Sequence, residues 1–177
     1  MNEPKTPAES GADKTTAKGK AAGKPPAKPS ARRRSREFAL QALYQWQLAG
    51  HELAEIEKQF AAAEDFNQAD AAFFKGLLKG AVGNAEATRA AVQPHLDRPW
   101  DELSPIERGI LLLSGHELLV SVAVPYRVVI NEAIELAKSY GGTDGHKYVN
   151  GVLDKLAAVA RADEIAHAGR HPGGRSA

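Results

Sequence analysis

The chain has 177 residues, enough for one domain of ordinary size or for two small helical subdomains. It contains no cysteine, which excludes a disulfide framework and a thiolate metal site and fits a reducing cytoplasm. The net charge of +1 hides an uneven distribution, because residues 1–30 carry +3 and the remaining 17 basic and 19 acidic residues give −2.

The two ends of the chain are predicted to lack a fold. Residues 1–30 combine five prolines, six lysines and many alanines without an aromatic residue, so they can bury little apolar surface. We expect a disordered basic extension that is either a solvated tail or an arm attracted to polyanions. Residues 167–177 are rich in Gly, His and Arg and are expected to form a flexible tail.

The segment between these ends, residues 31–166, shows helical periodicity and no strand-like alternation, which predicts an all-α fold. The first helix is expected over residues 31–49, with one apolar face and an end at Gly50. Two further helices are predicted over about residues 52–64 and 69–92. The second of these contains three glycines, which lower its helix propensity and could permit close packing.

The clearest helix start in the chain comes next. Ser104, Pro105 and Glu107 combine an N-cap, a first-turn proline and the carboxylate of a capping box. The helix that follows is apolar on most sides, which predicts that it is the buried central helix.

Two more helices complete the prediction. One begins at Pro125 and ends at Tyr140, and the last is capped by Thr143 or Asp144. Six or seven helices joined by short loops form a helical bundle, or two bundles that share the central helix. No apolar run approaches the roughly 18 residues of a membrane span, so no membrane association is expected.

Four arginines near the start of the first helix carry the strongest indication of function: Arg32, Arg33, Arg34 and Arg36. Guanidinium groups make two-pronged hydrogen bonds to phosphate that lysine cannot make. Cations at a helix N-terminus oppose the helix dipole, so four of them there predict an external anion. A helical wheel places Arg33 on the same flank as Tyr44, where both could stack on unpaired bases. The alternative is a solvated, charged helix end.

A second candidate cluster lies at the start of the last helix. Lys147 could reach a phosphate and Tyr148 could stack on a base beside the helix N-terminus. The alternative is an ordinary helix cap with a surface lysine and a half-buried tyrosine.

Catalytic and metal-binding patterns are weak. His116 and Glu117 lack the second histidine of a zinc-binding helix, and the six histidines are scattered. Glu132 and Glu135 lie three residues apart on a helix, which more often indicates a solvated face than an acid/base pair. We therefore expect no active site.

Four stretches of the chain resemble the NusB family of transcription antitermination factors. They occur in the family's order and at compatible spacing over about residues 31–161. The stretches are Arg32–Leu48, Ser104–Leu118, Val124–Gly141 and His146–Leu156. The patterns VPYRVVINEAIELAK and HKYVNGVLDK in the last two are the most specific.

The resemblance implies an all-α fold of two three-helix subdomains packed together, at about residues 31–93 and 96–166. It also implies binding to boxA, a short single-stranded RNA element of ribosomal RNA leaders, together with the small ribosomal subunit protein NusE. The pair would act in the RNA polymerase antitermination complex and support ribosomal RNA transcription. Neither a catalytic activity nor a cofactor is implied, and some family members form homodimers when free.

The resemblance also assigns residues to two surfaces. The RNA surface comprises Arg32, Arg33, Arg36, Lys147 and Tyr148, to which the charge argument adds Arg34. The NusE-facing surface comprises Tyr44, Glu107 and Asp144. Tyr44 therefore has two competing assignments, base stacking and partner contact.

The sequence suggests two other functional interpretations. In the first, the chain is a helical protein–protein scaffold whose arginines contact acidic protein and not RNA. In the second, it is related to RNA methyltransferases that carry a similar domain. Such enzymes need a doubly wound domain with a glycine-rich fingerprint, which is not found in this sequence.

Overall fold

The computed structural model describes residues 28–170, and this part of the chain is built from helices without any strand. The helices are α1 (Ala31–Ala49), α2 (Leu53–Ala61), α3 (Ala71–Gly83), α4 (Ala85–Val92), α5 (Pro105–Val120), α6 (Tyr126–Tyr140), α7 (Gly145–Ala160) and α8 (Ala162–Gly169). The predicted all-α class is confirmed. Most of the predicted N-terminal extension and most of the predicted tail lie outside the described residues.

Helix α1 has the predicted bounds because local signals fix both of its ends. The Ser30 hydroxyl accepts a hydrogen bond from the backbone N–H of Arg33 at 3.2 Å. Gly50 ends the helix with a φ of 62°, in the left-handed region that glycine adopts without strain. Between these ends Phe38 and Leu43 are buried on the core-facing side.

Two predicted helices are each divided in two, in each case at one residue that leaves the helical conformation. The predicted helix over residues 69–92 is divided at Asn84, whose side-chain amide donates to the carbonyl of Gly80 at 2.9 Å. Such local side-chain bonds compete with helix continuation. The predicted last helix is divided at Arg161, which also leaves the helical conformation. Helix α8 then continues to Gly169, where a flexible tail was expected.

The segment between α2 and α3 contributes an aromatic side chain to the core. Phe66 lies in a short 3₁₀ turn and is 8% exposed. Its ring centroid is 5.4 Å from that of Phe38 and 5.1 Å from that of Phe74. These separations are typical of favourable aromatic pairs, so the turn joins α1 to α3.

Helix α5 is the central helix, as predicted. Every residue from Gly109 to Leu118 is buried, and α5 packs against α1, α3 and α4 of the first predicted subdomain and against α6 and α7 of the second. The predicted capping box is present: the Ser104 hydroxyl accepts from the Glu107 N–H at 3.2 Å, and the Glu107 carboxylate accepts from the Ser104 N–H at 2.9 Å. Since α5 packs against both groups of helices, the division into two subdomains stays a prediction.

The C-terminal end of α5 is held by a buried side chain that sequence reasoning did not single out. The guanidinium of Arg161 donates to the carbonyls of Leu118 at 2.6 Å, Glu117 at 3.0 Å and Ser121 at 2.9 Å. The Leu118 carbonyl has no partner within the helix, so the guanidinium satisfies it. A cation at this end also interacts favourably with the negative end of the helix dipole.

Helices α3 and α5 approach closely at one glycine. A Cβ atom on Gly80 would lie 2.3 Å from Nε2 of His116, so the imidazole occupies the space that a side chain would need. Close packing was predicted for three glycines, but Gly76 and Gly83 face open space. His116 is 6% exposed, and burial lowers its pKa, partly opposed by the nearby Glu117 carboxylate.

The buried imidazole predicts a specific pH dependence of stability. In the unfolded chain His116 takes up a proton near pH 6.5, whereas the folded state keeps it neutral to a lower pH. The free energy of unfolding should therefore fall as the pH falls through 6.5 towards the lowered pKa. His116→Gln, which cannot titrate, should flatten this dependence in urea unfolding between about pH 7 and pH 5. Parallel curves for the two proteins would contradict the assignment.

Candidate nucleic-acid interface

Arg36 is in the core and not on the surface. Its side chain is 5% exposed and donates two hydrogen bonds to the Glu117 carboxylate, Nε to Oε2 at 2.9 Å and Nη2 to Oε1 at 2.7 Å. The ring of Phe73 lies on the guanidinium, with its centroid 4.9 Å from Cζ. This burial corrects the assignment of Arg36 to the RNA surface, because a phosphate could reach it only by unpairing Glu117.

Arg33 is half-exposed and tied to helix α6. Its Nε and Nη2 donate to the Glu132 carboxylate at 3.0 and 2.9 Å, and this hydrogen bonding raises the pKa of the guanidinium. The Glu132 side chain is only 14% exposed. The interpretation of Glu132 as part of a solvated face was therefore wrong.

Arg34 bridges two acidic side chains. Its guanidinium donates to Glu37 at 2.5 Å and to Asp65 at 2.8 Å. The guanidinium carbon lies 5.3 Å from the ring centroid of Phe38, which is a core residue. Arg34 therefore faces the junction between α1 and the turn before α3, with 24% of its side chain exposed.

Arg32 is the most open of the four arginines. Its side chain is 59% exposed, its Nε is 3.9 Å from Asp70, and its guanidinium carbon is 4.9 Å from the ring centroid of Phe73. Each arginine of the run thus has a carboxylate partner within the fold. The inference from the helix dipole that four arginines require an external anion is corrected accordingly.

The start of α7 presents an exposed ion pair. Lys147 Nζ is 3.1 Å from Asp144, and the two side chains are 74% and 75% exposed. Asp144 occupies the N-cap position, but its side chain makes no capping hydrogen bond. Because an exposed pair of this kind contributes little to stability, Lys147 can exchange Asp144 for another anion at small cost.

Tyr148 is half-buried beneath an arginine. The guanidinium carbon of Arg98 lies 4.6 Å from its ring centroid, and burial raises the pKa of its hydroxyl, with a further contribution from Asp97. A cavity of about 170 Å³ adjoins the ring and is also lined by Lys147 and Lys155. Arg98 and Lys155 therefore belong to this basic cluster, and only their positive charge could have indicated them in the sequence.

The two basic clusters lie at opposite ends of α5. Helix α1 runs antiparallel to α5, since Arg36 meets Glu117 whereas Gln47 donates to the carbonyl of Pro105 at 3.2 Å. The start of α7 lies beside Glu107. The ten residues from 107 to 117 span about 15 Å of helix. The structure therefore separates Arg32 from Lys147 along the molecule.

The residues assigned to a protein partner collect at the Glu107 end. Tyr44 is 42% exposed and lines a mostly apolar cavity of about 200 Å³ together with Ile106 and Tyr140. Glu107 follows Ile106 in the chain, and its carboxylate is engaged in the capping box. Tyr44 shares a flank of α1 with Arg33, as the wheel predicted, but eleven residues of helix separate them by about 16 Å.

Two possible features are not found in the described part of the chain. Among residues 28–170 no helix is long and apolar enough to cross a membrane. Within the same residues no three acidic or histidine side chains are grouped so as to hold a metal ion. The fold and the surface together define an all-helical protein with two basic clusters and an apolar groove between α1, α5 and α6.

Comparisons with known proteins give the family. Residues 33–158 match the model of the NusB family. A transcription antitermination protein NusB from Dechloromonas aromatica is 55% identical over 76% of this chain and 83% of its own length. The chain belongs to the NusB family.

Solved structures agree in fold. A T. maritima NusB structure has a TM-score of 0.67 and 29% identity, and the match covers 76% of this chain and 96% of that one. A crystal structure of antitermination factors NusB and NusE in complex with dsRNA has a TM-score of 0.60 and 27% identity, with coverage of 70% and 93%. The predicted family resemblance is confirmed.

The buried pair of Arg36 and Glu117 predicts a loss of stability and not a selective loss of binding. Arg36→Ala leaves a carboxylate buried without a counter-charge, which should lower the free energy of unfolding by about 3–5 kcal/mol. Urea unfolding followed by circular dichroism measures this change. Replacing both partners, Arg36→Met with Glu117→Leu, should recover most of it because no charge remains buried. An Arg36→Ala protein as stable as the parent would contradict a structural role.

Proposed function

We propose that this chain is an RNA-binding transcription antitermination factor that binds boxA-type single-stranded RNA together with NusE and supports ribosomal RNA transcription. The observation that carries this proposal is membership of the NusB family over residues 33–158. Relatives bear the name transcription antitermination protein NusB, and one solved relative is bound to NusE and RNA. The chain acts in this proposal as an adaptor of the RNA polymerase complex in the cytoplasm, without a catalytic step.

The proposed RNA surface starts from the two most exposed cations of the candidate clusters. The side chains of Arg32 and Lys147 are 59% and 74% exposed. Their carboxylate partners, Asp70 and Asp144, are 38% and 75% exposed, so a phosphate can replace them as the anionic partner. Arg33 adds a half-exposed guanidinium beside Arg32. An RNA strand that contacts both clusters runs along the length of α5.

Aromatic rings and guanidinium planes near Lys147 favour unpaired bases. Tyr148 and the Arg98 guanidinium above it form a stack on which a base can be added. Duplex RNA offers phosphates and hydroxyls but few accessible base faces. The solved NusB–NusE relative contains dsRNA, so a comparison of single-stranded and duplex RNA of the same sequence is a direct test. Tighter binding of the duplex would contradict the single-strand proposal.

The proposed NusE surface is the groove at the opposite end of α1 from the arginines. Tyr44 and Tyr140 supply aromatic rings, and Gln41 donates a hydrogen bond to the Tyr140 hydroxyl at 3.1 Å, which fixes that ring. Aromatic side chains in such grooves commonly dominate the affinity of protein interfaces. Glu107 and Asp144 flank the groove and would suit a partner that carries basic side chains.

One observation favours a second function, a protein–protein scaffold without direct RNA binding. Every arginine of the α1 run has a carboxylate within reach, so none of them requires an external anion. The two functions differ in one measurement. If boxA-type RNA fails to bind even with NusE present, the scaffold is the correct function.

Loss of the exposed cations should weaken RNA binding and its salt dependence. Arg32→Gln and Lys147→Gln should each lower the slope of log affinity against log salt by about 0.7, because each removes one phosphate contact. The combined variant should show the sum of both effects. Fluorescence anisotropy with labelled single-stranded boxA-type RNA at several salt concentrations measures both quantities.

Lys79→Gln is the matched control for these variants, because Lys79 is 55% exposed on α3, outside both clusters. It should leave affinity and slope unchanged. If the combined variant keeps the affinity and slope of the parent, the assignment of this surface is wrong.

Truncating the exposed aromatic residue of the groove should weaken the complex with NusE. Tyr44→Ala is expected to raise the dissociation constant about tenfold or more, as for aromatic residues central to interfaces. Val159→Ala is the control, since Val159 is 71% exposed on α7, outside the groove. Isothermal titration with purified NusE measures both, and circular dichroism checks that helicity is retained. Equal affinity for the Tyr44 variant and the parent would remove Tyr44 from the interface.

A further inference from the structure

A cavity of about 300 Å³ lies between α1, the start of α4, the turn at Trp100–Glu102 and the start of α5. Its lining combines aromatic and charged side chains. The polar and aromatic residues are Trp46, Gln47, Glu86, Arg89, Trp100 and Arg108. The sequence contains only two tryptophans, and both of them line this cavity. The cavity belongs neither to the proposed RNA surface nor to the proposed NusE groove.

Arg108 is the side chain that points to a ligand. Its Nε is buried and has no hydrogen-bond partner among residues 28–170, and none of the ion pairs in this part of the chain includes it. The four arginines of the α1 run all have carboxylate partners. Because a buried N–H donor without an acceptor is unfavourable, a ligand that brings an acceptor to Arg108 would be stabilised.

The aromatic part of the lining selects a planar group. The indoles of Trp46 and Trp100 both face the cavity, and the Arg89 guanidinium carbon lies 5.7 Å from the Trp100 ring centroid. Indole and guanidinium planes stack on nucleobases without regard to sequence. Arg89 is paired with Asp101 at 3.9 Å, which leaves Arg108 as the arginine of the lining without an ion pair among the described residues. An anion is therefore favoured at Arg108.

The chain segment that lines the cavity follows closely after a residue of the Lys147–Tyr148 cluster. Arg98 covers Tyr148, and only Pro99 separates Arg98 from Trp100. Two residues of chain span at most about 7 Å between Cα atoms. A strand that passes Tyr148 can therefore continue towards Trp100.

We propose that this cavity binds one unpaired nucleotide of an RNA strand, with its base against Trp46 and Trp100 and its phosphate hydrogen-bonded by Arg108. The RNA strand as the source of the nucleotide rests on the proposed function, whereas the nucleotide chemistry rests on the cavity alone. An acidic peptide would also supply an acceptor to Arg108. The Arg89 guanidinium already lies beside the Trp100 ring, and a peptide would leave the Trp46 indole without a planar partner, so the nucleotide is favoured.

The tryptophans make the test specific, because all of the intrinsic tryptophan fluorescence of the chain comes from this cavity. The full chain is titrated separately with boxA-type single-stranded RNA, with AMP and with a glutamate-rich peptide. RNA binding is measured in parallel by anisotropy of a labelled strand. RNA and, at higher concentration, AMP are expected to quench the emission, and the peptide is expected to leave it unchanged.

Arg108→Gln is the informative variant, and Arg127→Gln is its control, since Arg127 is exposed on α6 and pairs only with Tyr126 among the described residues. Loss of the hydrogen bonds from Arg108 to a charged phosphate should weaken RNA binding roughly tenfold. It should also lower the salt slope by about 0.7 and abolish quenching by AMP. The control should behave as the parent does.

The outcomes separate this proposal from the proposed function. If RNA binds by anisotropy while the emission of the parent protein is unchanged, the cavity proposal is overturned and the RNA function stands. This readout does not depend on any variant folding. Quenching by AMP that requires Arg108, without binding of RNA, overturns the RNA source and the proposed function but supports the nucleotide site. Quenching by the peptide alone makes the cavity a protein-docking site and overturns the proposal.

Discussion

The buried ion pair between Arg36 and Glu117 joins α1 to the central helix α5, and the positions of the basic end of α1 and of the apolar groove depend on it. Two charges removed from water are stable only when geometry and hydrogen bonding are good, and here both guanidinium–carboxylate bonds are short. Such a pair tolerates little sliding of one helix along the other, so it fixes the register of α1 against α5. That register puts Arg32 at one end of α5 and Tyr44 near the other. The separation of the basic end from the apolar groove follows from it.

Four arginines close together in the sequence have four different environments because each residue turns the helix by about 100°. Arg36 points into the core, Arg33 reaches α6, Arg34 reaches the turn before α3, and Arg32 remains exposed. A basic run at the start of a buried helix thus serves mainly to attach that helix to its neighbours. Its outermost member, Arg32, keeps the most exposure for a large ligand, and Arg33 keeps a smaller exposed part.

Features set by local signals could be predicted from the sequence. The ends of α1 and the capping box of α5 depend on residues at most a few positions apart, and their prediction was correct. The partner of Arg33 is 99 residues away and that of Arg36 is 81 residues away, so no pattern in the sequence reveals either pair. The exposed Lys147 could be identified from the sequence, because it is a cation at the start of a predicted helix. The charge of Arg36 favoured the surface, although Arg36 precedes the buried Leu40 and Leu43 by four and seven residues and therefore shares their face of α1.

The hydrogen bonds from Arg161 to the end of α5 have a consequence for the order in which contacts form during translation. The carbonyl of Leu118 is made 43 residues before the guanidinium that satisfies it. At a translation rate of roughly 5–20 residues per second, Arg161 is added about two to nine seconds after the end of α5. Throughout that interval the helix bearing the carboxylate for Arg36 has an unsecured end. The side chain that satisfies the end of the central helix is therefore added only after nearly all of the domain has been translated.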